Sequence, residues 1–271
     1  MSFSRKAGKF IRGISAVLRN PALLNEVLDQ EDQHKAIVVR EYSLSDGLPE
    51  LPFEFFFTGN EVQVKPFAFL DGGSLPTDLA LLKLIAVKIK ADMYFEIGTW
   101  RGESVSNVAQ VVPHCFTLNL SAAQMRERSW DEKYIGLHGH FSKQNPAITH
   151  LEGDSRSFDF SEWKKKVDMV FVDGDHHYDS VVQDTKTAFE LLKNDNSVIV
   201  WHDYGNSPES VRWNVLHAIL EGTPEHLRKH LYCVSNTLCA IYFKDAPSSQ
   251  KRVYPKVPET WFSVDLKKHS G

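Results

Sequence analysis

Regular alternation of short apolar segments with amphipathic segments, beginning near residue 93, is the feature that most constrains the fold of this chain. The apolar segments have the length of buried strands, and those between them carry apolar residues at helical spacing. Strands are predicted over residues 93–98, 115–120, 148–154, 167–175, 197–203, 230–236 and 238–244. Helices are predicted over 74–90, 103–112, 179–193 and 208–220. This order predicts an α/β protein with a doubly wound, mostly parallel, seven-stranded sheet covered by helices on both faces.

The first 73 residues do not follow this pattern and are expected to form an N-terminal helical and irregular extension. Residues 1–30 are predicted to contain two helices, the first basic and amphipathic, and residues 43–75 form a connector rich in Pro, Gly and Phe. A basic amphipathic helix can lie on an anionic membrane surface. Its two glycines weaken it as an isolated helix, which favours packing on its own domain or on a second subunit. We therefore divide the chain into an extension, 1–73, that acts as a cap or in homo-oligomerisation, and a ligand-binding domain, 74–271.

Charge and composition disfavour several classes of partner. The 271 residues contain 31 Lys and Arg against 35 Asp and Glu, a net charge of −4, so no nucleic-acid partner is expected. The three cysteines form no CxxC pair, which is typical of reduced core residues and argues against a zinc site. No apolar stretch approaches the roughly 20 residues of a transmembrane helix, and the N-terminal segment lacks the apolar core of a signal peptide. A cytoplasmic location is therefore expected.

The first strand of the regular part ends in a glycine-containing turn, "EIGTWRGES", that leads into a helix. Glycines in such a turn let backbone N–H groups approach a ligand closely. The spacing of Gly98 and Gly102 differs from the G-x-G-x-x-G pattern that binds a pyrophosphate. Glu96 stands two residues before the first glycine. An acid there is unfavourable for a phosphate and suits a ligand with cationic or hydroxyl groups.

Polar residues also end the next four strands. They are Asn119, Glu152 to Ser155, Asp173 to Tyr178, and His202 to Tyr204. Ligands of open parallel sheets bind beyond the carboxyl ends of the strands, so these side chains are expected to line one site. Asn119 stands about 20 residues after the turn, where a ribose-binding side chain is expected.

Taken together, these motifs resemble those of class I S-adenosylmethionine-dependent methyltransferases. The segments "FEIGTWRGES", "LEGDSRSFDF", "VDMVFVDGDHHYDSVVQD" and "VIVWHDY" follow one another in the order typical of that class. The likeness is greatest to the branch with a D-G-x-H-x-Y signature, which is distantly similar to catechol and caffeoyl-CoA O-methyltransferases. It covers about residues 75–245 and implies a Rossmann-like methyltransferase sheet that binds S-adenosylmethionine.

The resemblance assigns the glycine turn to the methionine part of this cofactor, whose sulfonium and ammonium groups suit a turn that contains an acid. The residues expected to bind the cofactor are Glu96, Gly98, Thr99, Gly102, Ser104, Asn119, Asp154, Ser155 and Asp173, with Asp154 and Ser155 against the adenine. Asn119 departs from the family pattern, in which Asp or Glu usually holds both ribose hydroxyls. An amide lacks the charge-assisted strength of a carboxylate, so a lower cofactor affinity is expected.

The ends of the fourth and fifth predicted strands also offer ligands for a divalent metal. Neighbouring strand ends lie close in a parallel sheet, so Asp173, His202 and Asp203 are expected to converge, and two carboxylates with an imidazole suit Mg²⁺ or Mn²⁺. The catechol-type relatives hold a metal at the strand ends corresponding to Asp173 and Asp203, and they place a general base at the position of His176. Two alternatives remain open. In one, His202 is the base and no metal is present; in the other, Asp173 contacts only the cofactor and Asp203 caps the next helix.

The sequence therefore predicts an O-methyltransferase for a small-molecule or sugar hydroxyl, with or without a divalent metal. Three other functions remain open: methylation of nucleic acid or protein, a related cofactor-binding protein with other chemistry such as hydroxylation, and a nicotinamide-dependent dehydrogenase. The lack of an N-P-P-Y-like motif and the slightly acidic charge disfavour methylation of bases. The glycine spacing disfavours the dehydrogenase.

Overall fold

The structure is a computed structural model that describes residues 10, 12–15, 17–19 and 31–269. The described residues before position 20 are helical, in agreement with the first predicted N-terminal helix. The second predicted N-terminal helix lies outside the described residues. Among the helices that are described, none combines the length and the apolar character required to cross a bilayer.

One mixed sheet forms the centre of the molecule. Its strands are β1 (Glu50–Leu51), β2 (Met93–Ile97), β3 (His114–Asn119), β4 (Ile148–Glu152), β5 (Met169–Val172), β6 (Val198–Trp201), β7 (Leu231–Val234) and β8 (Ala240–Tyr242). They lie in the order β1-β7-β8-β6-β5-β2-β3-β4, and only β8 runs antiparallel to its neighbours. The direction of winding reverses between β2 and β5, which is where an open α/β sheet binds its ligand. The predicted fold class is confirmed, with β1 as one strand more than expected.

Helices cover both faces of this sheet. They are α1 (Glu31–Tyr42), α2 (Pro76–Ile89), α3 (Glu103–Val108), α4 (Ala122–Glu127), α5 (Glu132–Ile135), α6 (Tyr178–Leu191) and α7 (Trp213–Gly222), with 3-10 helices at Phe53–Phe56 and Glu225–His230. Successive residues of a strand enter opposite hydrophobic clusters: Phe95 belongs to one and Tyr94 to the other. The strands therefore read as continuous apolar runs because both of their faces are buried.

Helix α7 begins later than the sequence predicts. The apolar pattern suggested a start at Pro208, whereas the helix starts at Trp213. The carboxylate of Glu31, on α1, accepts hydrogen bonds from the backbone N–H groups of Trp213 and Asn214 and so caps α7 from a distant part of the chain. A carboxylate at a helix N-terminus stabilises it by pairing with the free N–H groups and the positive end of the helix dipole.

Residues 31–73 pack into the same core as the sheet. The buried side chains of Leu51, Phe53 and Phe56 join the cluster that also contains residues of β2, β5 and β6. Strand β1 pairs with β7, and on its other side Glu50 exchanges two backbone hydrogen bonds with Gln250. The domain boundary after residue 73 stays a prediction.

Candidate functional site

A cleft of about 790 Å³ opens at the carboxyl ends of strands β2 to β6, where the winding of the sheet reverses. Each of the five polar strand ends singled out in the sequence contributes to its wall. Gly98, Thr99, Gly102, Ser104, Asn119, Asp154, Ser155, Asp173, His176, His202 and Asp203 all line it. The cleft therefore brings the sequence-predicted site residues together, with the exception of Glu96.

Glu96 lies behind the glycine turn in the packed sheet. Its carboxyl group accepts a hydrogen bond from the Tyr94 hydroxyl (2.7 Å) and one from Thr117 Oγ1 (3.2 Å), and the side chain is fully buried. Burial raises the pKa of Glu96 to about 8, so the carboxyl group is largely protonated at neutral pH. The sequence predicted that the Glu96 side chain faces the ligand. In the structure it is buried in the sheet behind the glycine turn and is not part of the cleft wall.

Both glycines of the turn have backbone angles that favour glycine, with φ values of 102° at Gly98 and 81° at Gly102. A Cβ atom added to Gly98 would lie 2.1 Å from the carbonyl oxygen of Asp173, and one added to Gly102 would lie 2.2 Å from Ser142 Oγ. A side chain at either position would therefore strike the protein itself. Glycine is therefore required at both positions because the turn packs closely against the backbone of Asp173 and the side chain of Ser142.

At the far end of the cleft, Asp154 is held between two arginines. Its carboxylate pairs with Arg156 (2.8 Å) and Arg128 (2.7 Å), and the hydrogen bond from Arg156 is the main cause that holds the pKa of Asp154 well below its usual range. Asn119 ends the neighbouring strand β3 and is paired in register with Glu152 of β4. This end of the cleft thus offers an amide and an ionised carboxylate at the places where the resemblance puts ribose and adenine.

Asp173, His202 and Asp203 form the only group of potential metal ligands found among the described residues, with one donor atom from each within 4.8 Å of the others. His202 Nδ1 lies 3.1 Å from Asp173 Oδ1 and 3.5 Å from Asp203 Oδ1. Asp203 has a positive φ of 57°, a conformation that Asp tolerates better than most residues. The cluster lies at the adjacent ends of β5 and β6, beside the glycine turn.

His176 stands next to this cluster, with its Nδ1 atom 3.2 Å from Asp203 Oδ2. The hydrogen bond to Asp203 is the largest cause that raises the pKa of His176 above its ordinary value. Burial opposes ionisation of Asp203, but the hydrogen bonds from His176 and His202 outweigh it and hold the pKa of Asp203 well below its usual range. Asp203 is therefore an anion at neutral pH and links the two histidines.

Sequence reasoning missed several residues of the site. Asp78, fully buried near the start of α2, lies 3.2 Å from His202 Nε2 through its Oδ2 atom. In the sequence it resembles an ordinary acidic residue in the first turn of a helix. The cleft wall also includes Arg212 and an aromatic group formed by Trp100, Trp130, Tyr134 and His138. Trp100 belongs to the glycine turn itself, and the other three lie between the predicted strands 115–120 and 148–154, in a stretch where the sequence indicates only polar helix or loop and no local signal marks them.

The order of the strands, the glycine turn after β2 and the polar strand ends define a Rossmann-like α/β protein of the class I methyltransferase type. Residues 95–204 match the model of a family described as a methyltransferase domain. This match agrees, over that part of the chain, with the resemblance to class I S-adenosylmethionine-dependent methyltransferases drawn from the sequence. No curated protein matches the chain significantly.

Solved structures similar to the chain include several methyltransferases. An O-methyltransferase from Bacillus cereus in complex with SAH is 18% identical, with 65% of this chain and 84% of that chain covered and a TM-score of 0.42. The SAH-bound methyltransferase PaMTH1 from Podospora anserina is 18% identical, with 78% and 95% covered and a TM-score of 0.44. A candidate methyltransferase from Bacillus halodurans C-125 is 16% identical with a TM-score of 0.36, and the match spans 46% of this chain and only 50% of that one.

Proposed function

We propose that this protein transfers the methyl group of S-adenosylmethionine to a hydroxyl group of a small molecule or sugar, assisted by a divalent metal. The observation that carries the proposal is the convergence of Asp173, His202 and Asp203 beside the glycine turn, with His176 in contact with Asp203. An acceptor that approaches these groups would also lie near the end of the turn to which the resemblance assigns the methionine part of the cofactor.

The chemistry of the cluster fits a metal such as Mg²⁺ or Mn²⁺. Both cations prefer oxygen ligands and Mn²⁺ also accepts imidazole, so two carboxylates and one histidine nitrogen make a suitable set. The low pKa of Asp203 supports this assignment, because a ligand must be deprotonated to bind. A bound metal would supply Lewis-acid polarisation of the acceptor hydroxyl and would lower its pKa.

His176 is the better candidate for the general base. Its contact with Asp203 engages Nδ1 and orients the ring, while its side chain remains about half exposed to the cleft. His202 is buried, and both of its ring nitrogens already face carboxylates. A base must reach the proton that it removes, which favours His176 over the alternative of His202.

The cofactor end of the proposal rests on Gly98, Thr99, Gly102 and Ser104 for the methionine part, Asn119 for the ribose, and Asp154 and Ser155 for the adenine. Cys115, Cys233 and Cys239 are all buried and unpaired, which supports the reducing, cytoplasmic location expected from the sequence.

The test combines binding and turnover. Calorimetry should detect binding of S-adenosylmethionine and no binding of NAD, because the turn lacks the dinucleotide spacing. Methyl transfer should be assayed with catechols and free sugars against RNA and peptides, each with Mg²⁺ or with EDTA. Binding of NAD instead of S-adenosylmethionine would reject the cofactor assignment. Transfer only to RNA or peptides, or full transfer in EDTA, would reject the acceptor class or the metal, respectively.

A further inference from the structure

Asp78 is a buried carboxylate that the proposed reaction does not use directly. It lies in the first turn of α2 and has no exposed surface. Its Oδ1 atom accepts a hydrogen bond from the backbone N–H of Leu238 (2.8 Å) and is contacted by Cys239 Sγ (3.7 Å). Its Oδ2 atom accepts one from the backbone N–H of Leu75 (2.6 Å) and faces His202 Nε2. Since each of these backbone groups is a donor, the carboxyl group serves as an acceptor on both sides.

The two nitrogens of the His202 ring face different neighbours. Nε2 lies 3.2 Å from Asp78, and Nδ1 lies 3.1 Å from Asp173 at the wall of the cleft. A neutral imidazole carries one proton, and the partner of one nitrogen decides which nitrogen keeps it. In the structure both nitrogens face carboxylate oxygens. A metal held by Asp173 and Asp203 would take the lone pair of Nδ1, which leaves the one proton of the neutral ring on Nε2, where the buried Asp78 carboxylate can accept its hydrogen bond.

We propose that Asp78 is a positioning residue for the metal site: it holds His202 with the proton on Nε2 and leaves Nδ1 as the ligand atom. The inference rests on the metal part of the proposed function. Metal-binding histidines commonly donate their second N–H to a carboxylate, and loss of that partner typically weakens metal affinity by about 10- to 100-fold. The Asp78 carboxylate also joins the start of α2 to the turn before β8, so the orientation of the ring is tied to two separate segments.

The central experiment compares Mn²⁺ affinity, by calorimetry, in the parent protein, Asp78→Asn, His202→Asn and the double variant. Asp78→Asn should weaken Mn²⁺ binding by about 10- to 100-fold in the parent background. In the His202→Asn background the same substitution should change the affinity by less than about twofold, because residues that act through one another are not additive.

Cys239→Ala is a matched control. It removes the thiol that contacts Oδ1 of the same carboxylate and leaves the Oδ2 atom and His202 in place. Its Mn²⁺ affinity should equal that of the parent. S-Adenosylmethionine affinity and the melting temperature, measured on every variant, separate a specific loss of Mn²⁺ binding from misfolding.

A second measurement avoids substitution altogether. ¹⁵N NMR of the Mg²⁺-loaded parent protein should show His202 as the neutral tautomer with its proton on Nε2. A proton on Nδ1 would overturn the inference, as would a parent-like Mn²⁺ affinity in Asp78→Asn or an equal loss in both backgrounds. If the parent protein itself binds no Mn²⁺, the metal part of the proposed function fails and the inference fails with it. If the parent binds Mn²⁺ and Asp78→Asn binds it equally well, only the inference fails.

Discussion

Replacement of Gly98 by alanine tests the physical reason for the glycine turn. The backbone at this position has a φ of 102°, which L-residues rarely adopt, and forcing one there costs about 1–3 kcal/mol. The new Cβ atom would also lie 2.1 Å from the Asp173 carbonyl oxygen and 2.7 Å from Gly174 Cα, both of which are backbone atoms. Such overpacking forces the backbone to shift and lowers the free energy of unfolding by about 1–3 kcal/mol more.

The two costs together amount to about 2–6 kcal/mol, a large part of the roughly 5–15 kcal/mol by which a domain is stable. At roughly 2–4 °C per kcal/mol, the melting temperature of Gly98→Ala should fall by about 4–24 °C. Affinity for S-adenosylmethionine should fall as well, because the displaced backbone belongs to Asp173 at the wall of the cleft. Gly98→Val adds a branched side chain and should abolish binding.

Thermal unfolding followed by circular dichroism, with calorimetry of cofactor binding, measures both effects. Gly59→Ala is the control, since nothing lies within 4 Å of an added Cβ there, and its stability should change by no more than about 0.5 kcal/mol. A Gly98→Ala protein that melts with the parent but fails to bind cofactor would refute the reasoning, because the glycine would then serve only the ligand.

Three further predictions concern the site and one buried carboxyl group outside it. Asn119→Asp should bind S-adenosylmethionine at least as tightly as the parent in calorimetry, because a carboxylate holds ribose hydroxyls more strongly than an amide; weaker binding would place Asn119 away from the ribose. Asp184 is buried in helix α6, and burial raises its pKa from 3.8 to about 6. Its ionised form therefore lowers the free energy of unfolding by about 3 kcal/mol above pH 6 and not below pH 4. Asp184→Asn should therefore raise the urea midpoint at pH 7 but not at pH 4, and an equal gain at both values would contradict the assignment. EDTA should abolish methyl transfer and Mn²⁺ should restore it. Asp203→Ala should stay inactive with or without added Mn²⁺, and near-normal rates in this variant would eliminate the metal mechanism. His176→Ala should lose turnover but keep its affinity for S-adenosylmethionine.

The apolar pattern of the sequence carried most of the information about the sheet. Strands β2 to β8 are apolar runs that end in polar or glycine-containing turns, so both their existence and the edge at which their side chains meet could be predicted. The structure brings Asp173, His202 and Asp203 together at that edge, and their roles stay predictions. Strand β1 escaped notice because two residues, Glu50–Leu51, are too short to show a period.

Other parts depend on contacts between distant segments, which no local pattern records. The start of α7 is set by Glu31, which lies 182 residues before Trp213. Asp78 faces His202, which lies 124 residues further along the chain. The sequence placed Glu96 correctly in its strand. It did not show where the side chain points, because that depends on hydrogen bonds from Tyr94 and Thr117 to the carboxyl group inside the sheet.

The short strand β1 also affects the order in which the chain acquires its structure during synthesis. Glu50 pairs in register with Cys233 of β7 and bonds to Gln250, so β1 has no partner until most of the chain has left the ribosome. Domains form from the N-terminal side as they emerge, and the strands that carry the cleft, residues 93–201, are complete before β7 exists. A nascent chain that stalls before residue 230 should therefore leave Leu51, Phe53 and Phe56 incompletely buried, an apolar surface by which chaperones could recognise it as unfinished.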